Sequence, residues 1–446
     1  MTKKIGFISL GCAKNLTDTE TMLGILSKEG YTITSDEKEA DVIVVNTCAF
    51  IDSAKEESIG AILEMAELKK EKCELLIVTG CLAQRYKDDI ITELPEVDII
   101  LGTTDYALIA DAIKAFYDKG KKLCFVSDEN NLVSYDLPRV QSTPKYTAYL
   151  KIADGCDNFC TYCIIPKLRG KFRSRPVKSI IEEAKRLAKS GVKELILVAQ
   201  DTACYGKDTK EATLSELLKS LSSIDGIEWI RLQYCYPENI TDELIDEIAS
   251  NLKVVKYLDM PIQHISDNIL KKMGRKSRGD LVRSLIKKLR DAIPNLTIRT
   301  SLIVGFPNET EEDFTLLTEF LKEYKLDRVG IFTYSKEEGT PAALYDGQIE
   351  EAVKKERHGI AMTIQKEVSS EVMASKVGKT DTAIVEGYDE EELSYVGRCS
   401  TDTPDVDGLA YIYSEDELCA GDIVAVEIID SDDYDVVCRC IKSGNK

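Results

Sequence analysis

Three cysteines in the stretch GCDNFCTYC are spaced C-x3-C-x2-C: Cys156, Cys160 and Cys163. Three thiolates on one loop can hold three irons of a 4Fe–4S cluster, whose full set of protein ligands is four. No fourth cysteine follows at ferredoxin spacing, so one iron would stay open, as in catalytic metal sites that keep a position for substrate. A structural zinc site or three buried thiols are the alternatives. Zinc usually takes two separated ligand pairs, however, and the sequence has no second pair at that spacing.

Three further cysteines each follow an apolar stretch. IGFISLGC ends at Cys12, DVIVVNTC at Cys48 and ELLIVTGC at Cys81. In an open parallel sheet the carboxyl ends of the strands share one edge, and ligands bind there. For any one of these cysteines alone, a small buried hydrophobe is the better interpretation. Three cysteines in register at one edge instead favour the interpretation that they are ligands of a second cluster with an open iron.

The sequence around Cys12, Cys48 and Cys81 predicts an α/β domain over residues 1–125, whose strands and helices would position these cysteines. Helical periodicity covers 18–29, 53–71, 85–93 and 105–118, and a capping box from Thr17 to Glu20 is expected to open the first helix. Short apolar runs predict strands over 5–9, 42–46, 75–79 and 97–101. This alternation predicts a parallel sheet with helices on both faces, as in flavodoxin-like or Rossmann-like folds. Residues 126–145 carry two prolines and little periodicity, and are expected to form a linker.

The alternation resumes over residues 146–374. Six apolar segments separated mostly by helical stretches predict an open (β/α)6 part-barrel, with function at the carboxyl ends of its strands. The segments are AYLKIA, ELILVAQ, WIRLQYCY, YLDMPI, LTIRTSLIVG and RVGIFTY. A long helix is expected over 349–373. Residues 375–446 show short alternating strands between turns, which predicts a small all-β barrel.

The charge is strongly negative and unevenly distributed. The chain has a formal net charge of −20, and residues 375–446, with 18 acidic and 6 basic residues, account for −12 of it. This balance disfavours nonspecific binding to nucleic acid or acidic membranes and is compatible with a basic partner. No apolar run has the length of a transmembrane helix, and the N-terminal one is too short for a signal peptide. We therefore expect a cytoplasmic protein with reduced cysteines.

The cysteine loop, with the aromatic Tyr162 before its last cysteine and just after the first strand of a βα barrel, resembles the radical S-adenosylmethionine (SAM) superfamily. The resemblance implies that the open iron binds the amino and carboxylate groups of SAM. Electron transfer from the cluster then releases a 5′-deoxyadenosyl radical. It also implies that the ends of the second and fifth barrel strands contact SAM, which makes Gln200 and Gly305 candidates. Tyr162 of the cysteine loop is a further candidate, for a contact with adenine. Shielding of the cluster (Tyr162) and ordinary loop roles (Gln200, Gly305) are the alternatives.

The whole layout is similar to that of the radical-SAM methylthiotransferases: a three-cysteine domain, a radical-SAM barrel and a C-terminal TRAM barrel. The motifs SLGCAKNLTDTE, YCYPENI and LDMPIQHISDNILKKMGR resemble the branch that modifies a ribosomal protein. The tRNA-modifying branch typically reads Gln-Ser-Gly where this chain has Gln263, His264 and Ile265. The resemblance implies two 4Fe–4S clusters, on Cys12, Cys48 and Cys81 and on Cys156, Cys160 and Cys163.

The same resemblance implies the reaction and the partners. SAM is used twice, as methyl donor and as radical source, and a methylthio group is added to the β-carbon of an aspartate in small-subunit ribosomal protein twelve. We expect this basic protein to dock on the acidic TRAM barrel. We also expect that the electron donor is a protein such as flavodoxin or ferredoxin, and that the enzyme is a monomer. The alternative, a tRNA adenosine methylthiotransferase, predicts a basic C-terminal barrel; a tRNA partner is therefore not favoured.

Other chemistry-bearing residues have ordinary interpretations. The run KLRGKFRSR at 167–175 is expected to be a solvated surface, with an anion site as the alternative. His264 is expected to be structural and His358 to be exposed. The remaining cysteines are expected to be core thiols: Cys73, Cys124, Cys204, Cys235, Cys399, Cys419, Cys438 and Cys440.

Overall fold

The structure, a computed structural model, describes residues 3–131 and 134–441. Its first sheet has six parallel strands in the order β2-β1-β3-β4-β5-β6. The strands are β1 (Lys4–Ser9), β2 (Thr32–Ile33), β3 (Val42–Thr47), β4 (Leu75–Gly80), β5 (Ile99–Leu101) and β6 (Leu123–Phe125). Its helices are α1 (Ala13–Lys28), α2 (Asp52–Glu67), α3 (Cys81–Arg85), α4 (Lys87–Glu93) and α5 (Ile109–Lys119).

Apolar side chains cover both faces of this sheet. Ile62 of α2 and Ile90 of α4 pack on one face, while Met22 of α1 and Ile113 of α5 pack on the other. Strands β3 and β4 are buried along their whole length. Continuous apolar runs are what a parallel strand covered on both faces requires. The predicted parallel sheet with helices on both faces is confirmed.

The first helix begins five residues earlier than its sequence pattern predicts. Cys12 is the N-cap of α1, and its carbonyl accepts a hydrogen bond from the Leu16 N–H at 3.1 Å. Thr17 lies inside the helix and donates its hydroxyl to the Lys14 carbonyl at 2.8 Å. Glu20 is fully buried and accepts a hydrogen bond from Arg139 Nε at 2.8 Å. The predicted capping box is therefore wrong. Thr17 lies inside a helix that has already begun, and the Glu20 carboxylate is bound by Arg139.

Residues 138–140, which follow the gap at 132–133 in the described ranges, pack along α1. The Val140 N–H donates to the Glu20 carbonyl at 2.9 Å. At Gly24, an added Cβ would lie 2.4 Å from the backbone carbonyl carbon of Pro138. The segment is therefore held against the helix, and a side chain at position 24 would push it away.

The second sheet also has six parallel strands, in the order β14-β13-β12-β11-β10-β7. They are β7 (Thr147–Lys151), β10 (Glu194–Val198), β11 (Trp229–Leu232), β12 (Val254–Asp259), β13 (Thr297–Val304) and β14 (Arg328–Thr333), and a short antiparallel pair, β8 (Ala153–Asp154) and β9 (Arg173–Ser174), follows β7. Within the described residues β7 and β14 do not pair, so the barrel is open, as predicted. Its helices are α6 (Ile165–Arg169), α7 (Val177–Lys189), α8 (Leu214–Ser222), α9 (Asp242–Ser250), α10 (Asp267–Lys272), α11 (Gly279–Ala292), α12 (Glu311–Tyr324) and α13 (Glu351–Ala374).

The last five strands close into a small barrel in the order β15-β16-β17-β19-β18. They are β15 (Thr380–Asp389), β16 (Ser394–Cys399), β17 (Ala410–Tyr413), β18 (Ile423–Ser431) and β19 (Val436–Cys440). Alternate side chains such as Val385, Ile412 and Val426 fill the interior, together with Cys399 and Cys438. The predicted all-β barrel is confirmed.

The small barrel docks on the amino-terminal ends of the second sheet. Glu194, the first residue of β10, is fully buried between Arg231, at 2.9 Å from its Nε, and Arg398 of β16. Arg328, the first residue of β14, pairs with Asp402 with its Nε at 3.1 Å. These contacts cover one end of the part-barrel and leave the carboxyl ends of its strands to face the first domain. No helix within the described residues has both the length and the apolar character needed to cross a membrane.

Candidate active site

The carboxyl ends of β1, β3 and β4 bring Cys12, Cys48 and Cys81 to one edge of the first sheet. Gly11 and Gly80, which precede two of these cysteines, both have left-handed backbones with φ of 89° and 92°. A Cβ on Gly11 would lie 3.2 Å from the Cys48 Sγ, and one on Gly80 would lie 2.3 Å from the Asn46 side-chain oxygen. The absence of side chains at these two glycines is what lets the outer strand ends approach the end of β3.

Asn15 joins the three strand ends. Its Nδ2 donates to the Thr47 carbonyl at 2.9 Å, and its own carbonyl accepts a hydrogen bond from Asn46 Nδ2 at 2.9 Å. Its Oδ1 lies 3.8 Å from the Cys81 Sγ. Sequence reasoning missed this residue, although its position three residues after Cys12 on α1 was a usable signal.

Two cations, Lys14 and Arg169, act electrostatically on these thiols. Burial raises the pKa of Cys81 to about 12, and Cys12 and Cys48 repel its thiolate further, while Arg169 opposes them. Burial also acts to raise the pKa of Cys12, but Lys14 and Arg169 outweigh it, so that this pKa lies below its usual value. Iron binds thiolates, and nearby cations favour that form.

The second cysteine set lies on the loop between β8 and α6. The Cys156 N–H donates to the Gly170 carbonyl at 3.0 Å, and the Thr161 N–H donates to the Met273 carbonyl at 2.9 Å. A Cβ on Gly155 would lie 2.0 Å from the Lys171 carbonyl oxygen. The loop is thus fixed on one side by the β8–β9 pair and on the other by the end of α10. Burial raises the pKa of Cys156 to about 11.

Buried polar atoms around this loop have no hydrogen-bond partner among the described residues. They are the Tyr162 hydroxyl, Gln200 Oε1, Thr202 Oγ1, Glu238 Oε2, and Nε and Nη1 of Arg275. Arg275 stacks on the Tyr236 ring at 4.1 Å, and Tyr162 and Cys160 lie within its electrostatic reach. Native structures satisfy almost all such atoms. Donors and acceptors together fit a ligand like SAM, which carries ammonium, carboxylate and hydroxyl groups.

Gly305 has a left-handed backbone with φ of 72°, and its surroundings are filled by the chain itself. Its N–H donates to the Glu309 carboxylate, and an added Cβ would lie 2.3 Å from Lys354 Cγ of α13. The glycine is therefore explained by the packing of α13. A contact between Gly305 and SAM stays a prediction.

Arg169 connects the two cysteine sets. Its Nη2 donates to Asn15 Oδ1 at 2.6 Å and to Asp18 Oδ2 at 3.0 Å. Its Nη1 lies 3.2 Å from Asp154, whose other oxygen accepts a hydrogen bond from Gln200 at 2.9 Å. A hydrogen-bonded path thus runs from the edge that carries Cys81 to the end of β10.

The run 167–175 is therefore only partly a solvated surface. Lys167 and Lys171 are exposed, but Arg169 and Arg175 are buried, and the surface interpretation is wrong for both. Arg175 pairs with Glu183 at 2.7 Å. The reason is that α6 inserts into the first domain, where Leu168 joins the apolar core. The buried arginines bind carboxylates of the chain itself.

The histidines and the remaining cysteines divide between confirmed and wrong predictions. His264 is buried, and its Nδ1 accepts the Ser266 N–H at 3.0 Å, but its Nε2 has no hydrogen-bond partner among the described residues, so this histidine is only half satisfied. His358 is not exposed; it is half-buried, and its Nε2 lies 3.1 Å from the Ile331 carbonyl. The prediction of core thiols is confirmed for Cys73, Cys235, Cys399 and Cys438, which are buried. It is wrong for Cys124 and Cys419, which lie exposed on an edge strand and in a loop. Cys204 and Cys440 are half-buried.

Within the described parts of the chain, no group of three or more His, Cys, Asp or Glu side chains is gathered tightly enough to hold a single metal ion. A 4Fe–4S cube binds each thiolate at a different iron and so accepts sulfurs that are farther apart than the ligands of one ion.

Comparison with known protein families matches three stretches of the chain. Residues 4–102 match the uncharacterized protein family UPF0004, residues 150–331 the radical SAM superfamily and residues 377–441 the TRAM domain. The chain is 51% identical over 453 residues to ribosomal protein uS12 methylthiotransferase RimO of Acetivibrio thermocellus, covering 100% of both chains. It is 55% identical over 443 residues to the protein of that name from Clostridium botulinum, covering 98% of each.

Solved structures show a similar fold at low identity. The radical S-adenosylmethionine methyltransferase TsrM from Kitasatospora setae, with cobalamin and a [4Fe-4S] cluster bound, superposes with a TM-score of 0.57 at 14% identity, over 77% of each chain. The cobalamin-dependent S-adenosylmethionine radical enzyme OxsB gives a TM-score of 0.52 at 13% identity, over 80% of this chain and 56% of its own.

Proposed function

The chain belongs to the RimO family of radical-SAM methylthiotransferases, and we propose that it adds a methylthio group to the β-carbon of an aspartate in ribosomal protein uS12. The observation that carries the proposal is the pair of three-cysteine sets on facing domains, joined through Asn15 and Arg169. One set alone would serve many radical-SAM reactions. A methylthiotransferase needs a second site that supplies sulfur.

We infer that Cys156, Cys160 and Cys163 hold the cluster that binds SAM, and that Cys12, Cys48 and Cys81 hold the second one. When bound, the first cluster supplies the electron that cleaves SAM to a radical able to take hydrogen from carbon, and the second carries the sulfur that is transferred. Each donor set consists of three thiols, one fewer than a fully ligated 4Fe–4S cluster takes, which suits clusters with an open iron.

Residues of the chain have separate tasks in this proposal. Tyr162, Gln200 and Arg275 supply unsatisfied polar atoms beside the first set and bind the polar groups of SAM. Phe306 and Met273, both fully buried, pack behind Tyr162 and exclude water from that side. Arg169 and Asn15 fix the second set relative to the barrel, so that a substrate side chain can reach both sites.

The C-terminal barrel is proposed to receive the basic substrate protein. Its acidic side chains at positions 390–392 and 416–417 are exposed. A negative surface speeds the capture of a positively charged partner, whereas phosphate binding would require cations there. This supports a protein substrate over tRNA.

Mass spectrometry of a strain that lacks the gene tests the proposal. Ribosomal protein uS12 should lose the mass of one methylthio group, and bulk tRNA should be unchanged. Restoring the wild-type gene should restore the mass, and restoring a variant with Cys156, Cys160 and Cys163 changed to Ala should not. If the methylthio group disappears from tRNA instead, the substrate assignment is wrong.

A further inference from the structure

Lys14 is a buried cation without a carboxylate partner. It is 7% exposed, and no Asp or Glu oxygen of the described residues forms an ion pair with it. Every other buried lysine or arginine in that part of the chain does form one: Arg169, Arg175, Arg231, Arg275, Arg328, Lys354, Arg357 and Arg398. Apart from the Cys12 thiolate, whose formation it favours, Lys14 has no carboxylate among the described residues to balance its charge, and proteins rarely keep such a buried cation without a use for it.

The position of Lys14 lies between the two domains. It is the second residue of α1, directly after Ala13 and two residues after Cys12. Its Nζ lies 3.5 Å from the centre of the Tyr234 ring, on the loop that follows β11 at the carboxyl end of the part-barrel. Lys14 therefore reaches from the edge that carries Cys12 to the mouth of the barrel.

The loop that meets Lys14 is held in a strained conformation. Tyr234 has φ of 60°, in the left-handed region that non-glycine residues rarely adopt. Its N–H donates to Asp259 Oδ2 at 3.0 Å, and its carbonyl accepts the Thr202 N–H at 2.8 Å. Such strain persists where the surrounding structure fixes it, often at ligand sites. Here it presents the ring face that covers one side of the ammonium group.

The neighbouring cations do not offer the same property. Arg169 is bound to Asn15, Asp18 and Asp154, and Lys151 is bound to Asp18. A lysine ammonium has three donors, and the ring occupies only one side of it. Lys14 can therefore bind a carboxylate, while its neighbours Arg169 and Lys151 already bind carboxylates of the chain itself.

We propose that Lys14 binds the side-chain carboxylate of the substrate aspartate. This inference rests on the proposed function. The carboxylate is bonded to the β-carbon, so anchoring it at Lys14 places that carbon beside Cys12 and at the barrel mouth. The ammonium would also distinguish aspartate from asparagine, because an amide leaves the buried charge uncompensated.

The test compares binding of two forms of uS12 to anaerobically reconstituted holoenzyme without reductant, so that no turnover occurs. One form is native and the other has the target aspartate changed to asparagine. Wild-type enzyme should bind the native form about 10- to 100-fold more tightly, the range of a charge-assisted hydrogen bond. Lys14→Met should bring the ratio close to one by weakening binding of the native form only.

Two control variants make the result specific. Lys28→Met makes the same chemical change at the exposed end of the same helix and should leave the ratio at its wild-type value. Lys14→Arg keeps the charge and should keep most of the preference for aspartate. Iron content is measured for every variant, since loss of the second cluster would point to a supporting role.

The proposal is overturned if Lys14→Met keeps the wild-type ratio. It is also overturned if Lys14→Met loses the second cluster and weakens binding of both forms equally, since Lys14 then supports the cluster. Failure of the proposed function looks different: wild-type enzyme would then bind neither form, and uS12 from the deletion strain would keep its mass.

Discussion

Replacing Arg169 with Met should loosen the junction between the two cysteine sets. Its side chain is 2% exposed and binds Asn15, Asp18 and Asp154. Removing one partner of a buried ion pair costs about 3–5 kcal/mol. The lower end applies, because Lys151 remains beside Asp18 and Gln200 beside Asp154. We therefore expect a loss of about 3 kcal/mol in the free energy of unfolding.

Thermal unfolding of the metal-free protein under anaerobic conditions measures this loss. For a unit of 150–250 residues, about 3 kcal/mol corresponds to a fall of roughly 6–12 °C in the unfolding midpoint. Iron analysis after reconstitution should show that the cluster on Cys12, Cys48 and Cys81 is retained less well than the other. The reason is that Arg169 favours the thiolate forms of Cys12 and Cys81.

Lys167→Met is the matched control, on the same helix α6. Lys167 is exposed, and its Nζ makes one hydrogen bond, to the Gly339 carbonyl at 2.7 Å. Its loss should change stability by less than about 1 kcal/mol. If Arg169→Met unfolds within about 2 °C of the wild type and loads both clusters equally, the buried network around Arg169 does not hold the two domains together.

Three further outcomes are expected. Reconstituted enzyme should hold about eight irons. Changing Cys12, Cys48 and Cys81 to Ala should leave about four irons and preserve reductive cleavage of SAM, measured as 5′-deoxyadenosine. Changing the glutamates at 390–392 to Gln should slow the association of uS12 and weaken its dependence on salt, measured by stopped-flow fluorescence. Burial acts to raise the pKa of Glu194, but Arg398 and Arg231 outweigh it and hold the pKa below its usual value. The stability from Glu194 is thus complete above about pH 4.3 and lost as pH falls through the lower folded pKa, so the deficit of Glu194→Gln at pH 7 should shrink in thermal unfolding at acidic pH.

Each of these has an opposing outcome. If the variant without Cys12, Cys48 and Cys81 also loses SAM cleavage, the two cysteine sets do not have separate roles. If association is insensitive both to salt and to the changes at Glu390 to Glu392, the acidic barrel does not capture uS12 through its charge. A deficit of Glu194→Gln that stays constant down to pH 3 would show that the carboxylate is not held ionised by its arginines.

The strands and the cysteine positions follow from the sequence because their signals are local. A strand covered on both faces is an uninterrupted apolar run, and a cysteine directly after it must lie at the sheet edge. The capping box from Thr17 to Glu20 failed for the opposite reason. Its pattern is local, but Glu20 is bound by Arg139, which lies 119 residues away in the chain.

The polar residues that complete the site could not be found in this way. Arg169 lies 154 residues from Asn15 in sequence, and nothing in KLRGKFRSR distinguishes a buried arginine from a solvated one. Its burial follows from the insertion of α6 into the first domain, which is a tertiary event. Lys14 stands beside Cys12 in the sequence, yet its importance depends on the absence of a carboxylate partner, which only the packed structure reveals.

The acidity of the C-terminal barrel serves two purposes that deletion of the barrel would confuse. Asp402 and Asp407 face the part-barrel, where they neutralise Arg328 and approach Arg299. Arg398 neutralises Glu194 in the same contact. Removing residues 375–446 would leave Arg328 without Asp402 and Glu194 with Arg231 alone, and would damage the radical-SAM domain itself. Loss of uS12 binding by such a truncation would therefore not demonstrate docking, whereas neutralising the exposed glutamates at 390–392 leaves the internal pairs intact and tests the surface alone.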